Sequence, residues 1–268
     1  MKRLQRTRVA EEIAKSLFTS PSILIVGFQK CGTTSLYKYI TSTEEYVPGK
    51  TKEKNTFAQD KYSYAEYLLN FPLKYKGYKT VNASHQAIFV PGALERVKKH
   101  LNQPKVLVIM RNPVNRAYSH FAYDVEDQGY IDQELSFDDY VEYELDLLKN
   151  VDLTDTKSIY DHTTFYSPFG MCISKGIYVT YLKRLKELDI PFHAVFLEEL
   201  RDRPEETWKG IATYCGLEKE MPEGMIRTNF NQGKYKSPIS DATREKLNAF
   251  YAPFNEELSS FLNRETPW

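Results

Sequence analysis

The sequence lacks both a membrane-spanning run and an excess of charge of one sign. No apolar run approaches the roughly 20 residues that cross a bilayer. Lys and Arg number 36, and Asp and Glu also number 36, so the net charge is near zero. Without an overall positive field, neither nucleic acid nor a membrane surface is predicted as a partner. The N-terminal residues are basic but lack the apolar core of a secretory signal.

Cysteine is also scarce. The chain contains Cys31, Cys172 and Cys215, which lie far apart and show none of the CxxC spacing that metal sites use. Three cysteines cannot all pair with one another, and such sparse usage is typical of a reduced, intracellular protein. The sequence therefore predicts a cytoplasmic location and no bound metal.

Apolar segments of two kinds are present and alternate along the chain. Short apolar runs that are typical of buried parallel strands occur at 23–26, 79–81, 106–110 and 193–197. Segments with helical spacing separate them, and no repeat or long linker divides the chain. We predict a single α/β domain with a central, mainly parallel sheet flanked by helices. Residues 1–20 are predicted to form a helical extension, and residues 21–268 the domain itself.

Apolar residues at helical spacing also place the individual helices. The predicted helices lie at 34–40, 94–101, 115–123, 137–148, 177–188, 208–212 and 247–261. Pro253 is expected to kink the last of them, because proline removes a helical hydrogen bond. Residues 150–175 are rich in Asp, Thr, Ser and Gly and are predicted to be irregular.

The segment GFQKCGTT (Gly27–Thr34) follows the first strand and precedes a helix. Two glycines separated by four residues resemble the start of a phosphate-binding P-loop, and main-chain N–H groups at a helix N-terminus bind anions. The lysine, however, lies inside the loop as Lys30 instead of following Gly32. The hydroxyls of the following residues are further donors: Thr33, Thr34 and Ser35.

A kinase or nucleotide hydrolase is the first alternative. Such an enzyme needs an acidic residue on another strand to help hold Mg²⁺. The strongest strand, VLVIM, ends in Arg111 and Asn112, which are not acidic. Glu198 and Glu199, after the last strand, remain as candidates, so this alternative stays open.

Two motifs together resemble the sulfotransferases that use 3′-phosphoadenylyl sulfate (PAPS). GFQKCGTTSL is similar to their 5′-phosphosulfate loop, and VLVIMRNPVNRAYSHF is similar to their 3′-phosphate motif. KGIY (Lys175–Tyr178), the segment FNQGKYKSP and the last helix resemble further family segments, so the resemblance runs from about Ser22 to the end. It implies a P-loop-like sulfotransferase domain between the heparan-sulfate and cytosolic types.

The resemblance also implies the residues that bind the cofactor. Arg111 and Ser119 hold the 3′-phosphate in the family motif, and Tyr178 lies near the nucleotide. The late basic loop contributes Lys234, Tyr235 and Lys236 as a group. The 5′-phosphosulfate loop contributes Gly27, Gln29, Lys30, Cys31, Gly32, Thr33, Thr34 and Ser35. A sulfuryl group carries less charge than a phosphoryl group, so Lys30 can stabilise the leaving group without a metal.

Two residues are candidates for the general base that takes the acceptor's proton. His85 follows a predicted strand, in the place where cytosolic sulfotransferases have a catalytic histidine. Glu53 lies in KTKEK, where heparan-type enzymes have a Lys-Glu segment. Asn82, Ala83 and Ser84 depart from both family patterns. We favour His85 as the base, with Glu53 as its partner or as the alternative base.

The acceptor is the least defined part of the interpretation. Residues 40–80 and 120–172 are expected to flank the cleft, and they contain the aromatic residues Tyr62, Tyr64, Tyr123, Tyr130, Tyr160 and Phe165. Aromatic walls suit a ring or a sugar, and the balanced charge does not favour a long polyanionic glycan. We expect a small-molecule acceptor with a hydroxyl or amine, such as a secondary metabolite. A heparan-type glycan and a non-catalytic nucleotide-binding module are the alternatives, and the sequence does not define the oligomeric state.

Overall fold

A five-stranded parallel sheet forms the centre of the protein in a computed structural model. The structure describes residues 2–126, 134–166, 171–220 and 238–268. The strands are β1 (Ile23–Gly27), β2 (Tyr46–Pro48), β3 (Lys79–Ala83), β4 (Lys105–Met110) and β5 (Phe192–Phe196), and their spatial order is β2-β3-β1-β4-β5. All four neighbouring pairs are parallel, so the predicted α/β class is confirmed.

The central strands are buried on both faces, which explains their unbroken apolar sequences. Every residue of β1 is buried, and in β4 only the first residue is exposed. Ile23 pairs with Lys105 and Gly27 with Ile109, so the two strands end at nearly the same level. The loops that follow them therefore begin side by side at one edge of the sheet.

Eleven α-helices pack around the sheet within the described residues. They are α1 (Lys2–Leu17), α2 (Thr33–Ser42), α3 (Tyr64–Leu68), α4 (Ala93–His100), α5 (Pro113–Glu126), α6 (Phe137–Leu148), α7 (Thr156–Tyr166), α8 (Tyr178–Glu187), α9 (Leu197–Asp202), α10 (Pro204–Cys215) and α11 (Asp241–Leu262). The helix α11 continues through Pro253. None of the helices in the described ranges is long and apolar enough to cross a membrane.

Two apolar clusters hold these layers together. The larger cluster surrounds the sheet and includes β1, β4 and α8. The second joins α5, α6 and α11 beside the sheet, through residues such as Phe121, Tyr140 and Tyr251. The helix α1 packs on α3 through buried Ala14, and Phe18 forms an antiparallel bridge with Leu73. The division at residue 20 into an extension and a domain stays a prediction.

The structure corrects the interpretation of residues 150–175 and adds short elements that the sequence did not predict, among them α3, α9 and β2. Residues 150–175 were expected to be irregular, but they include the helix α7. Its first turn is stabilised by Asp155, which accepts hydrogen bonds from the N–H groups of Lys157 and Ser158. The strand β2 was not predicted, because three residues are too few to show a period.

Candidate active site

A cavity of ≈ 330 Å³ lies at the carboxyl edge of the sheet. Each of the five strands is followed by a segment that contributes to its wall. Parallel sheets commonly bind ligands at this edge, beside the strand where the order of the connections reverses. The lining residues are Gln29, Lys30, Gly32, Thr33, Thr34, Ser35, Lys52, Glu53, His85, Arg111, Ser119, Tyr123 and Leu197.

The loop between β1 and α2 needs its two glycines for close packing. A Cβ atom on Gly27 would lie 2.9 Å from the main-chain oxygen of Ile109 on the neighbouring strand. Gly32 has a φ of +92°, and a Cβ atom there would lie 2.8 Å from Leu197. Glycine avoids both the clash and the strain of positive φ. Gly27 therefore shapes the loop without lining the cavity.

Lys30 occupies an unusual backbone position within this loop. Its φ is 68°, which costs a side-chain-bearing residue free energy that neighbouring contacts must offset. The guanidinium of Arg111 donates a hydrogen bond of 3.3 Å to the carbonyl oxygen of Lys30. The ammonium group of Lys30 lies 4.3 Å from the centre of the Tyr123 ring. The two predicted motifs thus meet at Lys30.

Tyr178 and Cys31 lie outside the cavity lining and support the main chain of Arg111. The hydroxyl of Tyr178 donates a hydrogen bond of 2.6 Å to the carbonyl oxygen of Arg111. Cys31 Sγ lies 3.8 Å from the same hydroxyl. Burial raises the pKa of the Cys31 thiol to about 12, so the thiol is protonated and can donate to Tyr178. Neither side chain lines the cavity, and both support the main chain that does.

Asn112 caps the N-terminus of the helix α5, which carries the cavity-lining residue Ser119. The side-chain oxygen of Asn112 accepts a hydrogen bond of 3.0 Å from the N–H of Asn115, which is the geometry of a helix N-cap. The N–H of Asn112 donates a hydrogen bond of 2.9 Å to Glu198 Oε1. Glu199 pairs instead with Arg203 and Arg264. Neither glutamate lines the cavity, so these candidate metal-binding acids have structural roles here.

The two candidate bases form one hydrogen-bonded pair. Nδ1 of His85 lies 3.0 Å from Glu53 Oε2, and Nζ of Lys52 lies 2.5 Å from Glu53 Oε1. Burial by itself raises the pKa of Glu53, but the hydrogen bonds and charges of His85 and Lys52 outweigh it and lower the pKa to about 2. Glu53 is therefore ionised at neutral pH, and it holds the His85 ring by one nitrogen.

The segment that carries Glu53 has no regular secondary structure and is held by side chains. Buried Asn82 accepts a hydrogen bond of 3.2 Å from the N–H of Lys54 and donates one of 3.3 Å to its carbonyl. The hydroxyl of Ser84 donates a hydrogen bond of 2.9 Å to Asn55. The N–H of Ala83 donates to the carbonyl of Lys52. Asn82, Ala83 and Ser84, which depart from the family patterns, thus position the segment that carries Glu53.

A second polar cluster lies on α5, behind the loop. Arg116 is fully buried and donates to the carbonyl of Cys172 and, at 3.5 Å, to Nδ1 of His120. Because arginine only donates, Nε2 of His120 carries the ring hydrogen. This nitrogen lies 3.3 Å from Asp124 Oδ2, which accepts no hydrogen bond within the described residues. Burial lowers the pKa of His120 and raises that of Asp124 to about 7.

This cluster contains three possible metal-ligand atoms, from His120, Asp124 and Cys172, within 4.8 Å of one another. A nitrogen that carries a hydrogen cannot bind a metal, and burial raises the pKa of the Cys172 thiol well above its usual value. We therefore interpret the cluster as a buried polar cluster that supports α5 through the hydrogen bonds of Arg116.

The cavity gathers most of the residues that the sequence singled out, but not all. Of the candidate acceptor-site aromatics, Tyr123 lines it, whereas Tyr62 and Tyr64 pack with Phe57 and His100 elsewhere. Tyr160, on α7, is not part of the lining. The residues outside the described parts of the structure are Lys234, Tyr235, Lys236, Tyr130 and the side chain of Phe165.

The sequence interpretation did not assign roles to Lys52, Asn82 and Ser84. Lys52 stood next to a candidate base, which was the only sign of its position. Asn82 and Ser84 flank Ala83 at the end of β3, where alternate residues point to the same face. Their partners lie 28 and 29 residues earlier in the chain, so the contacts depend on the tertiary fold.

A glycine-containing loop at a helix N-terminus, with cationic side chains at the carboxyl ends of parallel strands, is typical of α/β enzymes that bind phosphate groups. Residues 20–265 match the sulfotransferase domain family model. The chain therefore belongs to the sulfotransferase domain family, as its paired motifs predicted.

Curated relatives agree with this assignment. The chain is 26% identical over 273 residues to the bifunctional heparan sulfate N-deacetylase/N-sulfotransferase 1 of Caenorhabditis elegans and 25% identical over 274 residues to that of Caenorhabditis briggsae. In each case the match covers 91% of this chain and 30% of the relative. The chain thus spans under a third of the length of these relatives.

Solved structures share the fold. A sulfotransferase from Alicyclobacillus acidocaldarius superimposes with a TM-score of 0.66 at 23% identity, covering 92% of this chain and 98% of the other. The mouse sulfotransferase SULT7A1, solved in complex with PAP, superimposes with a TM-score of 0.54 at 14% identity. The match covers 93% of this chain and 88% of the other.

Proposed function

We propose that this protein transfers a sulfuryl group from PAPS to a hydroxyl or amine of a small-molecule acceptor. The proposal rests on one observation: Lys30, Arg111 and the pair of candidate bases, His85 and Glu53, line the same cavity. PAPS carries negative charge at a 5′-phosphosulfate and at a 3′-phosphate, and the cavity has cationic groups on two separate strand ends. Its donor set therefore fits such a nucleotide.

We assign the 3′-phosphate to Arg111 and Ser119, because a guanidinium binds phosphate through paired donors and a nearby hydroxyl adds another. The 5′-phosphosulfate is assigned to Gln29, Lys30 and the start of α2, with the hydroxyls of Thr33, Thr34 and Ser35. Gly27, Cys31, Gly32 and Tyr178 contribute by shaping and supporting the loop. Lys234, Tyr235 and Lys236 are proposed to cover the nucleotide from the late basic loop.

His85 is proposed as the general base and Glu53 as its orienting partner. Glu53 binds Nδ1 of His85, which leaves Nε2 for the acceptor's proton. A carboxylate whose pKa is about 2 is a weak base, so Glu53 is better suited to stabilise the imidazolium that forms. When bound, PAPS supplies the sulfuryl group. Lys30 would stabilise the negative charge that develops on the phosphate oxygen as the bond between this oxygen and sulfur breaks.

The acceptor class and the cytoplasmic location are proposals of the same kind. Tyr123 is the aromatic residue at the cavity wall, and it offers a surface for a ring or a sugar. The three cysteines are free and buried, in agreement with a reducing compartment. A glycan acceptor of the heparan type is the alternative, since the curated relatives carry that name.

The direct test combines binding and transfer. Calorimetry with adenosine 3′,5′-bisphosphate (PAP) should show binding by the full chain, and Arg111→Ala should weaken it about 100-fold or more. Arg203→Ala, at a surface position, is the matched control. Incubation with PAPS and an acceptor library should then give one product whose mass has increased by a sulfuryl group.

Three results would contradict the proposal. Absence of PAP binding would exclude the nucleotide site. Transfer that requires ATP and Mg²⁺ in place of PAPS would favour the kinase alternative. PAP binding without transfer to any acceptor, small molecule or glycan, would favour a non-catalytic module.

A further inference from the structure

Lys52 lies in the cavity wall between the anion loop (residues 27–35) and the base pair (Glu53 and His85). Its ammonium group donates a hydrogen bond of 2.7 Å to Thr34 Oγ1 and lies 2.5 Å from Glu53 Oε1. The side chain is 26% exposed. An ammonium group has three N–H donors, and two of them hold Lys52 to opposite sides of the site.

The contact with Lys52 determines whether the hydroxyl of Thr34 donates or accepts a hydrogen bond. Lysine only donates, so Thr34 Oγ1 must be the acceptor in this hydrogen bond. The hydroxyl hydrogen of Thr34 then points elsewhere, and it has no protein acceptor within the parts of the chain that the structure describes. Thr34 lies in the first turn of α2 and lines the cavity. Its hydroxyl is therefore prepared to donate to an anion.

The contact with Glu53 completes the base pair. Lys52 binds Oε1 and His85 binds Oε2, so each carboxylate oxygen has its own partner. The carboxylate plane is fixed from both ends, and this holds the imidazole ring in one orientation. The carbonyl of Lys52 in turn accepts from Ala83, which ties its main chain to the end of β3.

We propose that Lys52 is a positioning residue that couples the anion loop to the base pair. It directs the Thr34 hydroxyl towards the 5′-phosphate of the bound nucleotide and holds Glu53 in the orientation that His85 requires. The inference rests on the proposed function, because it assumes that the nucleotide occupies this cavity.

The Thr34 contact is tested by a double-mutant cycle on PAP affinity. Lys52→Met and Thr34→Val should each weaken PAP binding about fivefold, and the double variant should bind no more weakly than the worse single variant. Lys54→Met removes the same charge from the same segment but lies outside the cavity lining. This control should stay within about twofold of the wild type.

The Glu53 contact is tested without any acceptor, by following the Glu53 carboxyl carbon with NMR. In the wild type its signal should remain that of the ionised form down to about pH 3.5. Lys52→Met should move the titration midpoint upwards by about one pH unit, because one of two stabilising cations is lost. Lys54→Met should leave the midpoint unchanged, and circular dichroism checks that each variant folds. Lys52→Gln is the second variant if Lys52→Met does not fold.

The outcomes separate the two proposals. If the wild type does not bind PAP, the proposed function fails, whereas the Glu53 titration still reports on Lys52. If PAP binds but the two losses of affinity multiply, Lys52 does not act through Thr34. An unchanged Glu53 midpoint, or an equal effect of Lys54→Met, would overturn the positioning role.

Discussion

The two sides of the cavity are held in place by different means. The anion loop joins β1 to α2. Its path is set by Gly27, Gly32 and the hydrogen bond from the Arg111 guanidinium to the carbonyl oxygen of Lys30. The base segment (residues 52–55) belongs to no helix or strand. It depends on the side chains of Asn82 and Ser84 for its position. Except at Lys52, which contacts both sides, ligand binding and proton removal should therefore respond to different substitutions.

The largest effect is expected at Lys30. Lys30→Ala should reduce transfer from labelled PAPS by about 1,000-fold, because a cation next to a developing charge is lost in a partly enclosed site. PAP affinity should fall by only about tenfold or less, since Arg111 and the loop remain. Lys38→Ala, on the exposed face of α2, is the control. An active Lys30→Ala variant would refute the role assigned to this lysine.

The next largest effect concerns the base pair. His85→Ala should lower the single-turnover rate by about 100- to 1,000-fold, and Glu53→Gln by about tenfold, with PAP affinity nearly unchanged in both. If only Glu53→Gln abolishes the chemical step, the order of the two roles must be reversed.

The pH profile discriminates between the same two bases. The pKa of Glu53 is about 2, so this carboxylate stays ionised from pH 4 upwards and cannot cause a loss of rate there. A rate that decreases as the pH is lowered, at any point above about pH 4, is therefore the result expected if Glu53 is not the base. A rate that stays constant down to about pH 4 would identify Glu53 as the base instead.

The same lowered pKa of Glu53 predicts a pH dependence of stability. An ionised carboxylate held by cations stabilises the folded state fully above its unfolded pKa of about 4.3, and this contribution decreases as the pH falls towards 2. The difference in melting temperature between the wild type and Glu53→Gln should accordingly shrink below about pH 4. A difference that does not change with pH would contradict the assignment.

A moderate effect is expected at Asn82, which tests the side-chain support of the base segment. Asn82→Ala removes both hydrogen bonds to the main chain of Lys54 and should destabilise the fold by about 1–3 kcal/mol. We expect the transfer rate to fall about tenfold and PAP affinity to fall less, because the contacts of Gly27, Gly32 and Arg111 still hold the anion loop. A loss of PAP binding equal to the loss of rate would show that the two sides are not independent.

The smallest effect is expected at Tyr178, on the anion side. Tyr178→Phe removes the hydrogen bond to the carbonyl of Arg111 but keeps the ring in its apolar surroundings. PAP affinity should fall about threefold to tenfold, and the single-turnover rate at saturating PAPS should not change. Tyr181→Phe, on the next turn of the same helix, is the control and should leave both quantities unaltered. A changed rate with normal affinity would contradict a purely supporting role.

The sequence was most informative where one element carries the information. The apolar runs of β1 and β4 and the loops that follow them were predicted, because both strands are buried on two faces and the motifs lie next to them. The approach of Glu53 to His85 was left open, since the two candidates are 32 positions apart and the strand β3 lies between them in the sequence. The path of the chain through β2, and the contacts of Asn82, bring them together. Neither feature produces a periodic pattern in the sequence.

The contact between Arg111 and the carbonyl of Lys30 has a consequence for sequence divergence. These residues are 81 positions apart, yet replacing the arginine removes a hydrogen bond from the turn that presents the lysine. A lineage that replaced the arginine to accept a nucleotide without a 3′-phosphate would at the same time release the turn at Lys30. The two motifs are therefore expected to be inherited as a unit, and libraries that aim at a new donor nucleotide need to vary both positions together.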